Sequence, residues 1–252
     1  MALTEFQRAV CRVVAANAKT NIPHDIDVFH DTTEAVAVSW TADRAALEGS
    51  GYRVDVQQIR AGFVEANVAS AGESVVMQWT ADSAFRFFPL VEHDDFGLTL
   101  HPFDLATNKT LALVGRLEVR DWVDLIHCHG AIQRLGYLAW AAAGKDPGFG
   151  PSSILEQAGR SARYSHDEVA TLAFAGPLPD AADLSRRWRE MFDEARALVA
   201  VLPPHEAGHC VLGDDGALFN GDRAQLIEAL ESGRMRFHQG RIRGALPQLH
   251  GA

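Results

Sequence analysis

The sequence predicts an α/β chain of the α+β kind: a mixed sheet flanked by helices, followed by a helical C-terminal extension. Three observations predict it. Apolar residues recur at helical spacing from Thr4 to Ala18, where Phe6, Ala9, Val10, Val13 and Val14 fall on one stripe. Polar and apolar residues then alternate through Asp25-Ile26-Asp27-Val28-Phe29, as in a half-buried strand. After His101-Pro102 the pattern turns helical and stays so over most of the remaining chain.

Each element follows from a local signal. Ile22-Pro23 interrupts the first helical stripe ahead of the Asp25 strand. Thr32 to Leu47 reads as a helix, with Thr32 or Thr33 as its cap. Gly49-Ser50-Gly51 is a turn, and Tyr52–Ile59, Gly62–Ala69 and Ser74–Trp79 read as three short strands of an antiparallel meander. Asp104 is well placed to cap a helix through Leu105, Leu111, Ala112 and Leu113, which Gly115 ends. A second helix carries Trp122, Val123 and Ile126. Lys145-Asp-Pro-Gly-Phe-Gly-Pro151 is a loop and a candidate boundary. Beyond it, helices are expected near Ser152–Gly159, Ser165–Phe174 and Asp180–Val201, the last with Leu184, Trp188, Met191 and Ala195 on one face. The expected divisions are an α/β core over residues 1–100, a helical part over 101–150, and an accessory, mainly helical extension over 151–252.

Composition narrows the function classes. The chain has 252 residues, 47% hydrophobic and 22% charged, with a formal net charge of −10. A chain of this length buries a core without staples, and an acidic surface attracts nucleic-acid backbones poorly over long range. The basic stretch from Arg234 to Arg243 is the local exception, and it reads as a solvated helix end. Cys11, Cys128 and Cys210 are odd in number and widely spaced, which argues against a disulfide framework. The N-terminus does not read as a signal peptide, and no apolar run is long enough for a bilayer. A cytoplasmic location without a membrane partner is the expectation.

Two constellations carry chemistry. In the first, Asp25 and Asp27 alternate with apolar residues, so strand geometry turns both carboxylates to one side. Paired carboxylates make a hard-oxygen site suited to Mg²⁺ or Mn²⁺, which in turn holds phosphate oxygens; the competing reading is two solvated strand residues. The second runs through Asp104-Leu-Ala-Thr-Asn-Lys109, Arg116 and Arg120-Asp121-Trp-Val-Asp124. On a helix Arg120 and Asp124 stand one turn apart and can pair. This concentration of a lysine, two arginines and two aspartates suits a triphosphate, or else forms ordinary surface ion pairs of small worth.

Together, in this order, these motifs resemble the AbiEii/AbiGii-type nucleotidyltransferases, abortive-infection proteins that include toxins of toxin–antitoxin systems and belong to the polymerase-β-like superfamily. The resemblance covers residues from about 20 to about 130. It implies a nucleotidyltransferase-like mixed sheet and transfer of a nucleotide from a nucleoside triphosphate to an acceptor such as tRNA or a protein, with an antitoxin as partner. By that implication Asp25 and Asp27 hold Mg²⁺, Lys109 offsets charge developing on the phosphates with Arg116 and Arg120 nearby, and Asp121 or Asp124 positions Lys109 or contacts the metal or the attacking group. Residues 101–150 would then complete the site. A third carboxylate is common on a later strand in the superfamily; Asp82 is the first choice, with Asp55 and Gln78 also in view.

The chain departs from the family in one respect. Members carry a glycine turn shortly before the aspartate pair, where backbone N–H groups receive the triphosphate. Here the first glycine is Gly49, and the stretch from Cys11 to Ile22 offers only Lys19, Thr20 and Asn21 as polar substitutes. The first strand is therefore expected to be missing, the sheet edge beside it open, and transferase activity weak or absent. A member degenerate in catalysis but still able to bind is the alternative.

A competing motif is His205-Glu206-Ala-Gly-His209, which matches a zinc-peptidase pattern with Glu228, Glu231 or His238 as further ligands. Pro203-Pro204 and Gly208 oppose the helix that it needs, and the residues from Cys210 to Phe219 read as a hairpin around a turn. His127-Cys128-His129 reads as a helix end with one buried cysteine. Phe85, Phe87 and Phe88 read as packing against the Asp104 helix, with Arg86 among them.

Overall fold

A computed structural model describes residues 5–14, 19–21, 25–94, 97–161, 164–172, 174 and 177–247; the side chains of residues 5, 12–14, 19–21, 25 and 161 lie outside that description. In chain order the elements are α1 (Glu5–Val14), β1 (Lys19–Asn21), β2 (Asp25–His30), α2 (Thr33–Gly49), β3 (Arg53–Arg60), β4 (Phe63–Ser70), β5 (Glu73–Ala81), β6 (Phe85–Arg86), β7 (Val91–His93) and β8 (Gly97–Thr99). There follow α3 (Pro102–Arg116), α4 (Val119–Ala131), α5 (Leu135–Ala142), α6 (Pro151–Ala158), α7 (His166–Ala170), α8 (Ala181–Val199), β9 (Cys210–Gly213), α9 (Arg223–Glu231), β10 (Met235–His238) and β11 (Arg241–Ile242). The chain forms two compact units, residues 1–84 with 89–101, and residues 85–88 with 102–252.

The first unit is built on a sheet of order β1-β2-β5-β4-β3, in which β2 and β5 run parallel and the other neighbours antiparallel. The connections dictate this order. Two-residue turns at 61–62 and 71–72 join β3, β4 and β5 into a meander, whereas β2 reaches β3 through α2, and a parallel pair needs such a crossover. Gly62 has a φ of +71°, and a Cβ there would meet Thr33 Oγ1 at 3.2 Å and the Ala81 side chain at 3.3 Å. Strand residues alternate in burial as the pleat requires: Ile26, Val28, Ala66, Val68, Met77 and Trp79 are fully buried and pack with Val36, Trp40 and Leu47 of α2. Thr32 caps α2, its hydroxyl accepting from Ala35 N at 3.1 Å.

One expectation about this sheet is corrected. The edge beside β2 is not open: β1 pairs with it antiparallel, Thr20 opposite Val28 and Asn21 opposite Asp27. The short segment after Ala18 reaches the sheet without a glycine because backbone pairing asks nothing of its side chains.

The second unit is mainly helical. Every residue of α5 is buried, enclosed by α3, α6, α8 and β9. Gly136 lets α8 approach, since a Cβ there would lie 2.9 Å from Leu198 Cβ and 3.0 Å from Ala195 O. The same apolar core takes in Phe103, Leu125, Leu138, Ile154 and Trp188, so it runs across the Lys145–Pro151 loop that the sequence offers as a boundary. Asp104 does not cap α3, which already begins at Pro102. It lies in the first turn, fully buried, and accepts from Phe87 N at 2.9 Å and Phe88 N at 3.0 Å while Lys145 Nζ stands 2.9 Å away. Helix α3 continues through Gly115 to Arg116 and ends at Leu117, which takes the left-handed conformation at φ +55°. The Arg234–Arg243 stretch is not a helix end; β10 pairs with β9 and β11 with β6. Among the described residues no helix is long and apolar enough to cross a membrane.

His129, near the end of α4, accepts from Leu135 N through Nδ1 at 3.1 Å, which satisfies a donor at the start of α5. Burial first, and then the charges of Arg134 and Arg187, lower its pKa from 6.5 to about 4. The folded pKa lies below the unfolded one, so the folded state resists protonation. The contribution is whole above about pH 6.5 and is lost as pH falls toward 4. Urea unfolding across that window should show stability falling by on the order of 1–3 kcal/mol, and His129→Gln should flatten the fall. An unchanged slope in the variant contradicts this assignment.

Candidate functional site

Asp27 sits in the middle of β2 between two fully buried residues, Ile26 and Val28, and so belongs to the face turned away from α2. Register then places it in a cross-strand row. Asp27 stands opposite Gln78 of β5, and Gln78 opposite Glu65 of β4. The Gln78 amide donates from Nε2 to Glu65 Oε2 at 2.8 Å, which orients Gln78 and leaves its carbonyl oxygen as the ligand-type atom. Asp25 is in β2 with its backbone opposite Val76; its side chain is outside the described residues. Asp27 and Glu65 thus carry carboxylates on strands either side of β5, with the Gln78 amide on the strand between; oxygen groups of this kind are the ligands that Mg²⁺ takes.

Glu65 was not expected. It is the one acidic residue in Phe63–Ser70 and it alternates with buried Val64, Ala66 and Val68. That alternation was visible, but its place beside Gln78 depends on register, which no strand shows alone. Asp82, the first choice for a third carboxylate, lies just past β5, exposed, with Oδ1 accepting from Ser83 N at 2.7 Å. Asp55 lies on the edge strand and pairs with Arg53 at 2.8 Å.

In the helical unit, α3 and α4 bring Lys109, Arg116, Asp121 and Asp124 together. Lys109 Nζ lies 2.8 Å from Asp124 and 3.6 Å from Asp121. Arg116 holds both Asp121 oxygens, Nε to Oδ2 at 3.2 Å and Nη2 to Oδ1 at 3.1 Å. Asp121 is fully buried, in the first turn of α4 where the helix dipole favours a carboxylate. The expected Arg120–Asp124 pair is replaced: Asp124 turns to Lys109, and Arg120 faces Glu118 at 3.9 Å. Two cations and two carboxylates balance in this cluster, which ties the two helices together and fixes Lys109. The nearby Cys128 thiol is pushed up to about 11, by burial first and then by the Asp124 charge.

His205 and Glu206 lie on a 3₁₀ turn, Pro204–Glu206, not on an α-helix. Their side chains do not form the helical pair of the peptidase motif: His209 Nδ1 contacts Glu206 Oε2 at 2.6 Å, while His205 is 78% exposed. The Pro-Pro ahead of them and Gly208, at φ +88°, account for this. Among the described residues no group of three His, Cys, Asp or Glu side chains is placed to hold a metal ion.

No protein-family profile matches the chain. No curated protein sequence matches it either. Among solved structures, a candidate nucleotidyltransferase from H. pylori superposes with a TM-score of 0.52 at 12% sequence identity, over 80% of this chain and 99% of that one. The chain has a nucleotidyltransferase-like fold. At this identity the likeness concerns the fold, and the strand that carries Asp25 and Asp27 is part of its mixed sheet.

Burial separates the two aspartates of the helical cluster. Asp121→Asn should cost on the order of 1–3 kcal/mol, because it removes the fully buried carboxylate that Arg116 holds through two hydrogen bonds and that Lys109 approaches at 3.6 Å. Asp124→Asn, at a position 32% exposed, should cost no more than about 1 kcal/mol. Denaturant unfolding of the two variants checks the ranking, and equal losses contradict it.

Proposed function

We propose that the chain is a nucleotidyltransferase that moves a nucleotide from a nucleoside triphosphate to an acceptor hydroxyl or phosphate, working slowly for want of a glycine turn. The observation that carries this reading is Asp27, in an Asp-x-Asp pair on an inner strand of a nucleotidyltransferase-like sheet, in one row with Gln78 and Glu65. Asp25, Asp27 and Glu65 are the proposed Mg²⁺ or Mn²⁺ ligands. The metal would supply Lewis-acid polarisation of phosphate oxygens and orient the triphosphate for in-line attack. Within the helical unit, Lys109, steered by Asp121 and Asp124, is proposed on the family resemblance alone as a counter-charge to phosphate, with Arg116 and Arg120 as accessory cations. Catalysis of this kind rests on positioning and electrostatics.

The family resemblance extends the proposal to a cytoplasmic toxin acting on tRNA or protein and restrained by an antitoxin partner. A second reading, a catalytically degenerate binding protein, is favoured by two observations. No glycine precedes Gly49, so backbone donors for the β- and γ-phosphates are wanting. Lys109 is also already matched by Asp124 and Asp121.

The test is incorporation of label from each of the four triphosphates with Mg²⁺ or Mn²⁺, using cellular RNA and protein as acceptors. Slow metal-dependent transfer that falls at least about a hundredfold in Asp27→Ala is the expected result. Transfer that is unchanged in Asp27→Ala defeats the proposed site. Nucleotide binding without transfer, equal in the wild type and Asp27→Asn, supports the degenerate reading instead.

A further inference from the structure

Strand β3 is an outer strand of the five-stranded sheet, at the end opposite β1, and Val56 to Arg60 along it are exposed. Two of these are large apolar residues, Val56 at 38% and Ile59 at 63% exposure. An edge strand with apolar side chains is a template for pairing with another chain, and the choice of partner is set by what its side chains would face.

The sequence of this strand is complementary to itself, and a bulge makes it so. Opposite residues of an antiparallel pair point to the same face. Asp55 and Arg60 are an odd number of positions apart and in a regular strand would point to opposite faces. Between Val56 and Gln58, however, the β3–β4 register shifts by one residue. Asp55 is consequently opposite Asn67 and Arg60 opposite Phe63, both on the polar face of β4, while Val56 is opposite Ala66 and Ile59 opposite Val64, both on its buried face. The bulge thus puts Asp55 and Arg60 on one face and Val56 and Ile59 on the other. Arg60 is held along its face by the Phe63 ring, 4.5 Å from its guanidinium carbon.

We infer that a second copy of this chain pairs with β3 antiparallel about a two-fold axis between Gln57 and Gln58. In that register Asp55 meets Arg60 of the second copy, Val56 meets its Ile59, and the same contacts recur on the other side of the axis. An isologous contact requires such reciprocity, and cross-strand pairs of opposite charge and of apolar residues stabilise a sheet. Slipping the register by two brings like residues together or leaves the apolar pair unmatched. A contact confined to one strand from each copy is small, so the dimer forms in the weak range typical of interfaces below about 1,200 Å². This inference is independent of the chain's nucleotide chemistry.

Sedimentation equilibrium of the full chain over a wide concentration range tests it, with circular dichroism confirming that each variant is folded. The wild type should pass from monomer to dimer as concentration rises. Asp55→Arg and Arg60→Asp each set like charges face to face twice over and should weaken the dimer by about tenfold or more. The combined Asp55→Arg/Arg60→Asp chain restores opposite charges and should recover most of the loss. Ile59→Lys should abolish the dimer. A wild type that stays monomeric, a dimer indifferent to the single reversals, or a combined variant no better than either single one would each overturn the pairing.

Discussion

In the sheet unit, the buried carboxylate of Asp43 accepts from the Trp79 indole at 2.8 Å and from the Ser39 hydroxyl at 2.7 Å. Trp40 packs edge-on to the same indole, ring centroids 4.8 Å apart. A strand has a side-chain period of two, so a Trp79 committed to α2 commits Gln78 to the opposite face. The parallel pairing of β2 with β5 then puts Asp27 beside Gln78 and buries Ile26 and Val28 beneath it. A slip of one residue in β2 would bury the aspartate, and a slip of one in β5 would expose the tryptophan. The donor row of the proposed metal site is therefore a consequence of packing on the far side of the sheet.

The helical unit uses a buried carboxylate differently. Asp104 collects two backbone N–H groups of the Phe85–Phe88 segment and the Lys145 ammonium, which Asn108 also holds at 2.7 Å. Burying this charge is costly without partners, and here its partners come from two separated stretches of chain. A segment of four residues is thereby fixed to the start of α3, with Phe87 and Phe88 stacked edge-on against Phe103. Asp121 repeats the arrangement at the start of α4 with Lys109 and Arg116. In both places an aspartate in the first turn of a helix organises what packs against that turn.

Much of the fold was legible where periodicity is local. Helix α1 over its described residues 5–14, the alternation of β2, the meander and the Leu184–Trp188–Met191–Ala195 face of α8 all appear near their expected places, while the end of the first helix expected at Ala18 lies outside the described residues. Helix α5 was not legible, because Leu-Gly-Tyr-Leu-Ala-Trp-Ala-Ala is apolar on every side and shows no period. Strand β1 was not legible either, since Lys-Thr-Asn is too short and polar to alternate. Asp104 looks like a cap in the sequence but is not one, because a helix can begin two residues earlier at a proline, as α3 does. For the site, Asp27 could be read from its own strand, whereas Glu65 and the Lys109–Asp124 pair depend on how separate elements meet, which sequence spacing does not encode.

The central claim is that Asp27 and Glu65 contribute oxygens to one divalent-metal site. The direct measurement is Mn²⁺ binding to the full chain by electron paramagnetic resonance of the free ion, with a nucleoside triphosphate present, in the wild type, Asp27→Asn and Glu65→Gln. The account predicts that each substitution weakens Mn²⁺ binding by about tenfold or more, as loss of a charged ligand to a hard cation should. Binding unchanged in both variants would contradict it.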